Sequence, residues 1–401
     1  MANEQYYSKM TETVSETVNE IILKAFRAGA SDIHIEPQRD QTIVRIRVDG
    51  ILKELKKIPL ENHNQLISRL KIMADMDINE HRQPQDGRIP FYKYSDPSYR
   101  FLDIRINTVP MIYGEKACLR LIDNRKAKIE LSQLGFTPSV LEKYKKYITR
   151  PHGLILHVGP TGSGKTTSLY AALNAINRPT INVHTIEDPV EYLIPGLNQA
   201  QVNPDVGFTF PKVLRAFLRQ DPDVIMVGEI RDIETAQLAI EGSLTGHVIF
   251  STLHTNDAVG AVTRFFEMGI SPFFVATALI CVVSQRLIRR LCDHCKEAYR
   301  PSDKVCKAIG LIDPRQKVYR EVGCPKCNRT GYRGRTLLVE LLEVDNEEFK
   351  QAIYRNSTPE DLTRIAIRNG MQTLFDDGIG KAKKGLTSIE EVIRVVRGVV
   401  L

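Results

Sequence analysis

Tryptophan is missing from all 401 residues, and no apolar run approaches the roughly 20 residues that a bilayer crossing requires. The second absence argues against a membrane-embedded chain. The first leaves the sequence without indole platforms for stacking nucleic-acid bases, and no helix-turn-helix or ribonucleoprotein motif compensates. No internal repeat or low-complexity tract is found. The start, Met1 to Glu20, is polar and acidic rather than signal-like, and no lipid-modification motif is present. The chain is therefore expected to stay in the cytoplasm and to meet a membrane only through partners. Charge of neither sign dominates: 55 basic residues face 48 acidic ones, a formal +7, which permits anionic partners without demanding them.

What is there reads as a multidomain globular protein. Hydrophobic residues at 42% and charged residues at 26% argue against global disorder, and the length suits two or three domains. Residues 1–125 read as a small α/β domain. A helix carrying Val14, Val18, Ile21, Ile22 and Ala25 at helical spacing closes at Gly29, and alternating strands follow, with Asp49-Gly50 as a hairpin signal. Residues 126–150 are charged and helix-like and read as a linker. From 151 to 290, short β-rich runs at Leu154–Val158, Val183–Ile186, Val224–Val227 and Val248–Ser251 alternate with helical stretches, the pattern of a parallel sheet. Residues 291–335 hold paired cysteines, and 336–401 read as short helices punctuated by Gly370, Gly378 and Gly385.

Gly159, Pro160, Thr161, Gly162, Ser163, Gly164, Lys165 and Thr166 match the phosphate-binding loop pattern, between an apolar strand and a helix-like stretch opening at Thr167, and these eight residues with Thr167 are the expected nucleotide-binding set. Glycines let backbone N–H groups wrap a phosphate, Lys165 neutralises the β and γ oxygens, and the Thr166 hydroxyl can ligate Mg²⁺. ATP and Mg²⁺ are thus the expected ligands. Downstream, the strand Val224–Val227 leads to Glu229, placed to hold a Mg²⁺-bound water or to orient the attacking one.

Cys292-x-x-Cys295 and Cys324-x-x-Cys327, separated by 28 residues, have the form of two knuckles whose four thiolates can meet in a tetrahedron. Zn²⁺ is the expected metal, and four protein ligands leave no position for a reactive water. The site is accordingly structural or a docking surface. Cys306 lies between the knuckles and could compete, while Cys118 and Cys281 sit in apolar stretches and are expected to be packed.

Around these motifs the chain resembles the secretion ATPase superfamily, specifically the type II secretion and type IV pilus assembly ATPases, over nearly its whole length. Thr185-Ile-Glu187-Asp188-Pro-Val-Glu191 resembles that family's Asp box, Leu218 to Asp232 its Walker B, and Gly246 to Asp257 its His box. The resemblance implies an α/β fold with a RecA-like P-loop core, a smaller PAS-like N-terminal domain, a zinc insertion and a helical C-terminal segment. It also implies that Glu187 positions or activates water, that Glu229 works with Mg²⁺, and that His247 and His254 sense the γ-phosphate or a neighbouring subunit. Without the resemblance those two histidines read as packing or hydrogen-bonding residues at strand ends. Arg105 and Arg120 match positions where the family supplies arginines toward the nucleotide. Arg215 and Arg219, one turn apart, read either as facing a common anion or as a solvated face.

The resemblance also implies assembly rather than retraction, because the assembly members carry such a tetracysteine zinc element and the retraction members usually lack it. The family's implied partners are a ring of six copies, an inner-membrane platform protein and a cytoplasmic docking subunit, with no nucleic acid. The expected function is a cytoplasmic hexameric ATPase, peripheral at the inner membrane, that drives assembly of a type IV pilus or a type II secretion pseudopilus. The alternatives are a nucleic-acid-translocating motor and a non-catalytic nucleotide-binding scaffold. Many assembly ATPases carry an additional N-terminal docking domain, whereas this sequence starts almost directly at the sheet domain; either its docking differs or it is a shortened form.

Overall fold

The computed structural model describes residues 2–308 and 316–398. The chain divides into two compact units, Met1–Lys126 and Ala127–Leu401.

In the first unit, helices α1 (Ala2–Arg27) and α2 (His63–Met73) accompany six strands: β1 (Ala30–Pro37), β2 (Gln41–Val48), β3 (Ile51–Pro59), β4 (Gln85–Pro90), β5 (Leu102–Met111) and β6 (Gly114–Asp123). The strands form one antiparallel sheet in the order β3-β2-β1-β6-β5-β4. Alternation along each strand makes one face apolar, as in Ile33 and Ile35, Val44 and Ile46, Ile104 and Ile106. That face shares a core with Ile21 and Ile22 of α1 and with Leu66 and Leu70 of α2. The opposite face is charged. Arg88, Arg105, Arg120, Asp32 and Arg47 are successive cross-strand partners in one row. Arg120 Nε lies 3.4 Å from Asp32 Oδ1, and Arg88 pairs with Asp103.

The second unit is built on a seven-stranded sheet. Its strands are β7 (Gly153–Val158), β8 (Val183–Glu187), β9 (Asn198–Gln201), β10 (Val224–Val227), β11 (Val248–Leu253), β12 (Leu279–Leu291) and β15 (Tyr332–Glu343). The order is β15-β12-β7-β11-β10-β8-β9, parallel throughout except for the antiparallel β12–β15 pair. Every residue of β7, β8, β10 and β11 is buried, which is why these segments read as continuous apolar runs rather than alternating ones.

Helices α3 (Pro138–Ile148) and α4 (Lys165–Ile176) contribute to a core with β7, β10 and β11. A second core takes in α5 (Phe210–Phe217), α6 (Ile233–Leu244), α7 (Ala258–Glu267), α8 (Pro272–Ala278), α10 (Glu347–Tyr354) and α11 (Pro359–Arg368). Between β12 and β15 lie β13 (Glu297–Tyr299), α9 (Asp303–Ala308) and β14 (Val318–Arg320). The chain closes with α12 (Leu374–Lys383) and α13 (Ile389–Arg397). Aspartates placed just before the helices set their starts: Asp232 accepts from Thr235 N and Asp257 from Gly260 N.

Three details differ from the sequence-based expectation. The charged stretch 126–150 is not a free linker throughout, because Tyr144, Tyr147 and Ile148 of α3 are buried in the sheet's core. The sheet's last strand, β15, crosses the boundary placed at residue 335. Gly378 does not punctuate two helices but lies inside α12, where an added Cβ would come within 2.6 Å of Val392 Cγ1. Its missing side chain is what lets α12 and α13 approach.

Candidate nucleotide site and tetracysteine centre

Strand β7 delivers the phosphate-binding loop at its C-terminal end, and α4 leaves it at Lys165. Gly159 adopts a φ of 143°, and a Cβ there would sit 2.5 Å from the Gln285 carbonyl oxygen, so both conformation and crowding demand glycine. Pro160, Thr161, Gly162 and Thr166 are exposed, Gly164 and Thr167 half-buried, and Ser163 buried. The Lys165 ammonium donates to the carbonyls of Gly159 at 2.7 Å and Pro160 at 3.2 Å. Burial lowers the Lys165 pKa; the negative charge of Glu229 opposes this and the positive charge of Arg286 adds to it.

The two predicted acids meet different fates. Glu229 follows β10 by two residues, pairs with Arg231, and has Oε2 3.6 Å from His254 Nε2. Glu187, at the end of β8, is 3% exposed and accepts three hydrogen bonds, from Tyr170, from Thr185 Oγ1 at 2.6 Å and from Gln199 Nε2 at 3.2 Å. Burial raises its pKa, with the three donors opposing. In this arrangement Glu187 is tied to α4 and β9, and Glu229, its side chain 15% exposed, is the less enclosed of the two acids.

The two histidines also separate. His254 follows β11 on the loop-bearing edge of the sheet. His247 precedes β11, and its carbonyl accepts from Gly153 N at the start of β7. A six-residue strand spans roughly 20 Å, so within this chain His247 is not brought to the phosphate-binding edge. Its Nδ1 bonds the Gly242 carbonyl at 2.9 Å, the hydrogen-bonding role at a strand end. Arg215 pairs with Glu234 and Arg219 donates to the Arg215 carbonyl, so these two do not converge on a common anion here. Arg105 and Arg120 belong to the other compact unit, in the arginine row of its sheet.

Sequence reading missed the groups beneath the loop. Tyr144 Oη lies 2.6 Å from His157 Nε2, His157 Nδ1 lies 3.1 Å from Gln285 Oε1, and Gln285 Nε2 donates to Ser163 O at 3.1 Å. An amide oxygen only accepts, so the proton is on Nδ1 and Tyr144 donates to Nε2. The only signal was polar residues interrupting apolar strands, His157 in β7 and Gln285-Arg286 in β12. Burial pushes the His157 pKa down to about 4, with the Gln285 bond opposing and the Lys165 charge adding.

The unfolded ring titrates near 6.5, so between about pH 6.5 and 4 the unfolded chain binds the extra proton. Stability is therefore full above pH 6.5 and falls as pH drops toward 4, by about 3 kcal/mol from this residue. A His157→Gln variant is expected to show a shallower acid limb when urea-unfolding free energy is measured from pH 7 to 4. An unchanged slope would reject the assignment.

Cys292, Cys295, Cys324 and Cys327 bring their sulfurs within 4.8 Å of one another. The resolved pairs, Cys292–Cys324, Cys295–Cys327 and Cys324–Cys327, are 3.9, 3.8 and 3.8 Å apart. A tetrahedron with Zn–S bonds of about 2.3 Å has edges of about 3.8 Å, so the thiol set fits Zn²⁺. Backbone N–H groups of Cys324 and Gly331 point at Cys327 Sγ from 3.2 and 3.3 Å, which favours a thiolate there. Cys306 is not in the group; its thiol faces the Pro301 carbonyl at 3.7 Å. Cys281 is buried as expected, whereas Cys118 is only half-buried.

Comparison with known proteins places this geometry. The family described as Type II/IV secretion system protein matches residues 8–394. The type IV pilus assembly ATPase PilB of Thermus thermophilus is 48% identical over 379 residues, covering 94% of this chain and 42% of that protein. The type II secretion system ATPase E of Vibrio cholerae is 46% identical over 388 residues, covering 96% of this chain and 75% of that one. Among solved structures, the pilus retraction motor PilT with bound ADP superposes with a TM-score of 0.65 at 28% identity, covering 94% of this chain and 95% of that one. The chain thus spans less than half of the pilus relative and three quarters of the secretion relative.

Proposed function

Because this chain belongs to the Type II/IV secretion system protein family of ATPases, we propose that it hydrolyses ATP as a ring of six copies and drives assembly of a type IV pilus or type II secretion pseudopilus. The observation that carries the reading is the meeting, within one compact unit, of the Lys165 loop with Glu229 and His254. The Lys165 ammonium and the loop's N–H groups bind the phosphates. The Thr166 hydroxyl and Glu229 are the residues that would hold Mg²⁺, which neutralises charge on the β and γ oxygens when bound. Glu229 orients the attacking water, and His254 senses the terminal phosphate, a role supported by the 3.6 Å between its Nε2 and Glu229 Oε2.

Arg105 and Arg120, the two arginines that the family resemblance assigns to the nucleotide, stand side by side in the arginine row of the first unit's sheet, the kind of cation that stabilises charge developing in phosphoryl transfer. Glu187 supports the site from below, and any action of its own on water requires release of one of its three donors. His247 acts, if at the nucleotide, across a subunit boundary. The four cysteines hold Zn²⁺ in a structural or docking role. Among the described residues no helix is long and apolar enough to cross a membrane. We place the working protein at the cytoplasmic face of the inner membrane, held by a platform protein and a docking subunit.

Mg²⁺-dependent phosphate release measured across protein concentration tests this reading. The rate per chain should rise with concentration as rings form, should vanish in Lys165→Ala, and should not respond to DNA. Folded, zinc-replete protein without ATP turnover at any concentration would sink the motor assignment, and stimulation by DNA would favour a nucleic-acid motor.

A further inference from the structure

Arg286 occupies a position in β12 that no motif singled out. Ser284 pairs with Val158, the last residue of β7, so β12 continues alongside the phosphate-binding loop, and Gln285 packs its carbonyl against Gly159. Arg286, next along, is half-buried and reaches back toward the loop after β11. Its Nη2 donates to both the carbonyl and Oδ1 of Asn256, each at 3.2 Å. Its Nε is buried with no hydrogen-bond partner among the described residues.

Two carboxylates act on this guanidinium, Asp257 and Glu340, yet both are already committed elsewhere. Asp257 Oδ1 accepts from Gly260 N at 2.7 Å. Glu340 accepts from Ala258 N at 2.7 Å and from Leu374 N at 3.3 Å. Neither makes an ion pair with Arg286 among the described residues. It also repels the Lys165 ammonium. Repulsion between these two partly desolvated cations is only partly offset by Glu229 at Lys165 and by Asp257 and Glu340 at Arg286, since both pKa values stay lowered, and a bound polyanion would relieve it. A half-buried guanidinium whose fork is only partly used suits a phosphate oxygen, because charge-assisted bonds to a planar fork are strong and directional.

We propose that Arg286 is a nucleotide-binding residue whose guanidinium engages the terminal phosphate of ATP and, through Asn256, reports that phosphate to the loop between β11 and α7. The proposal rests on the ATPase reading above. It differs from a purely structural clamp on Asn256 in one respect: it discriminates triphosphate from diphosphate.

The test is equilibrium titration of the full chain, with Mg²⁺, using ADP and a non-hydrolysable ATP analogue. Wild type, Lys165→Ala, Arg286→Gln and Arg286→Lys are compared, with circular dichroism and melting to check folding. Arg286→Gln should weaken the ATP analogue by about 10-fold or more and ADP by less than about threefold. Arg286→Lys, which keeps the charge but loses the fork, should also lower the triphosphate preference, and it decides the matter if the glutamine variant does not fold. Equal weakening of both nucleotides, or an unchanged preference in the folded variants, overturns the proposal. Wild type that binds neither nucleotide would overturn the ATPase reading itself. Binding that is lost in Lys165→Ala keeps that reading whatever Arg286 does.

Discussion

Replacing Glu229 by glutamine should lower ATP turnover at least about 100-fold while leaving Mg²⁺-ATP affinity within about threefold of wild type. The side chain is 15% exposed, sits beyond β10 on the loop-bearing edge, and contacts Arg231 and His254 rather than a core. Its amide replacement is the same size, so the fold has little reason to respond. What disappears is a negative charge that lies near the Lys165 ammonium and can hold or orient water. An interaction made mainly in the transition state shows as lost kcat with little change in binding. Phosphate release combined with nucleotide titration separates the two effects. Turnover within threefold of wild type would transfer the hydrolytic role away from Glu229, with Glu187 the next acid to examine.

That contrast between two glutamates shows where sequence reading stops. Glu187 and Glu229 both end apolar strands, and both sit in recognisable boxes. Only the packing reveals that Tyr170 from α4 and Gln199 from β9 close over one of them. The phosphate-binding loop and the cysteine knuckles were legible because their chemistry depends on spacing within a few residues. The parallel core was legible because buried strands are apolar on both faces.

His247 misleads for a related reason. It lies seven residues before His254, and a strand of six residues fits between them, so neighbours in a motif end on opposite edges of the sheet. The α3 stretch hid its core role behind lysines. Yet Tyr144, Tyr147 and Ile148 fall at helical spacing and pack inward, a pattern open to reading before the fold was known. Tyr144, His157, Gln285 and Ser163 could not have been joined that way, since the chain must fold before residues more than 100 positions apart can form one hydrogen-bonded path.

Removing zinc should have the other large effect, on structure rather than on chemistry. Among the described residues between Cys292 and Gly331 there is little apolar core: Val318 and Cys306 join the cluster beneath α12 and α13, and β13 pairs with β14 over three residues. A metal holding four thiolates can contribute on the order of 10 kcal/mol to a small fold, far more than such a segment obtains from burial. The wild type should carry about one zinc per chain by elemental analysis. Cys292→Ser and Cys327→Ser should reduce that to near zero and open residues 293–308 and 316–331 to limited proteolysis, while the seven-stranded sheet stays folded by its own two cores. Chelation of the wild type should reproduce the cleavage pattern. Because Lys296 also donates to the Gly385 carbonyl, loosening of the segment should reach the turn between α12 and α13 as faster amide exchange there. Full zinc retention in both variants, or a metal-free wild type with an unaltered proteolytic pattern, would remove the metal from this account and leave four reduced thiols in its place.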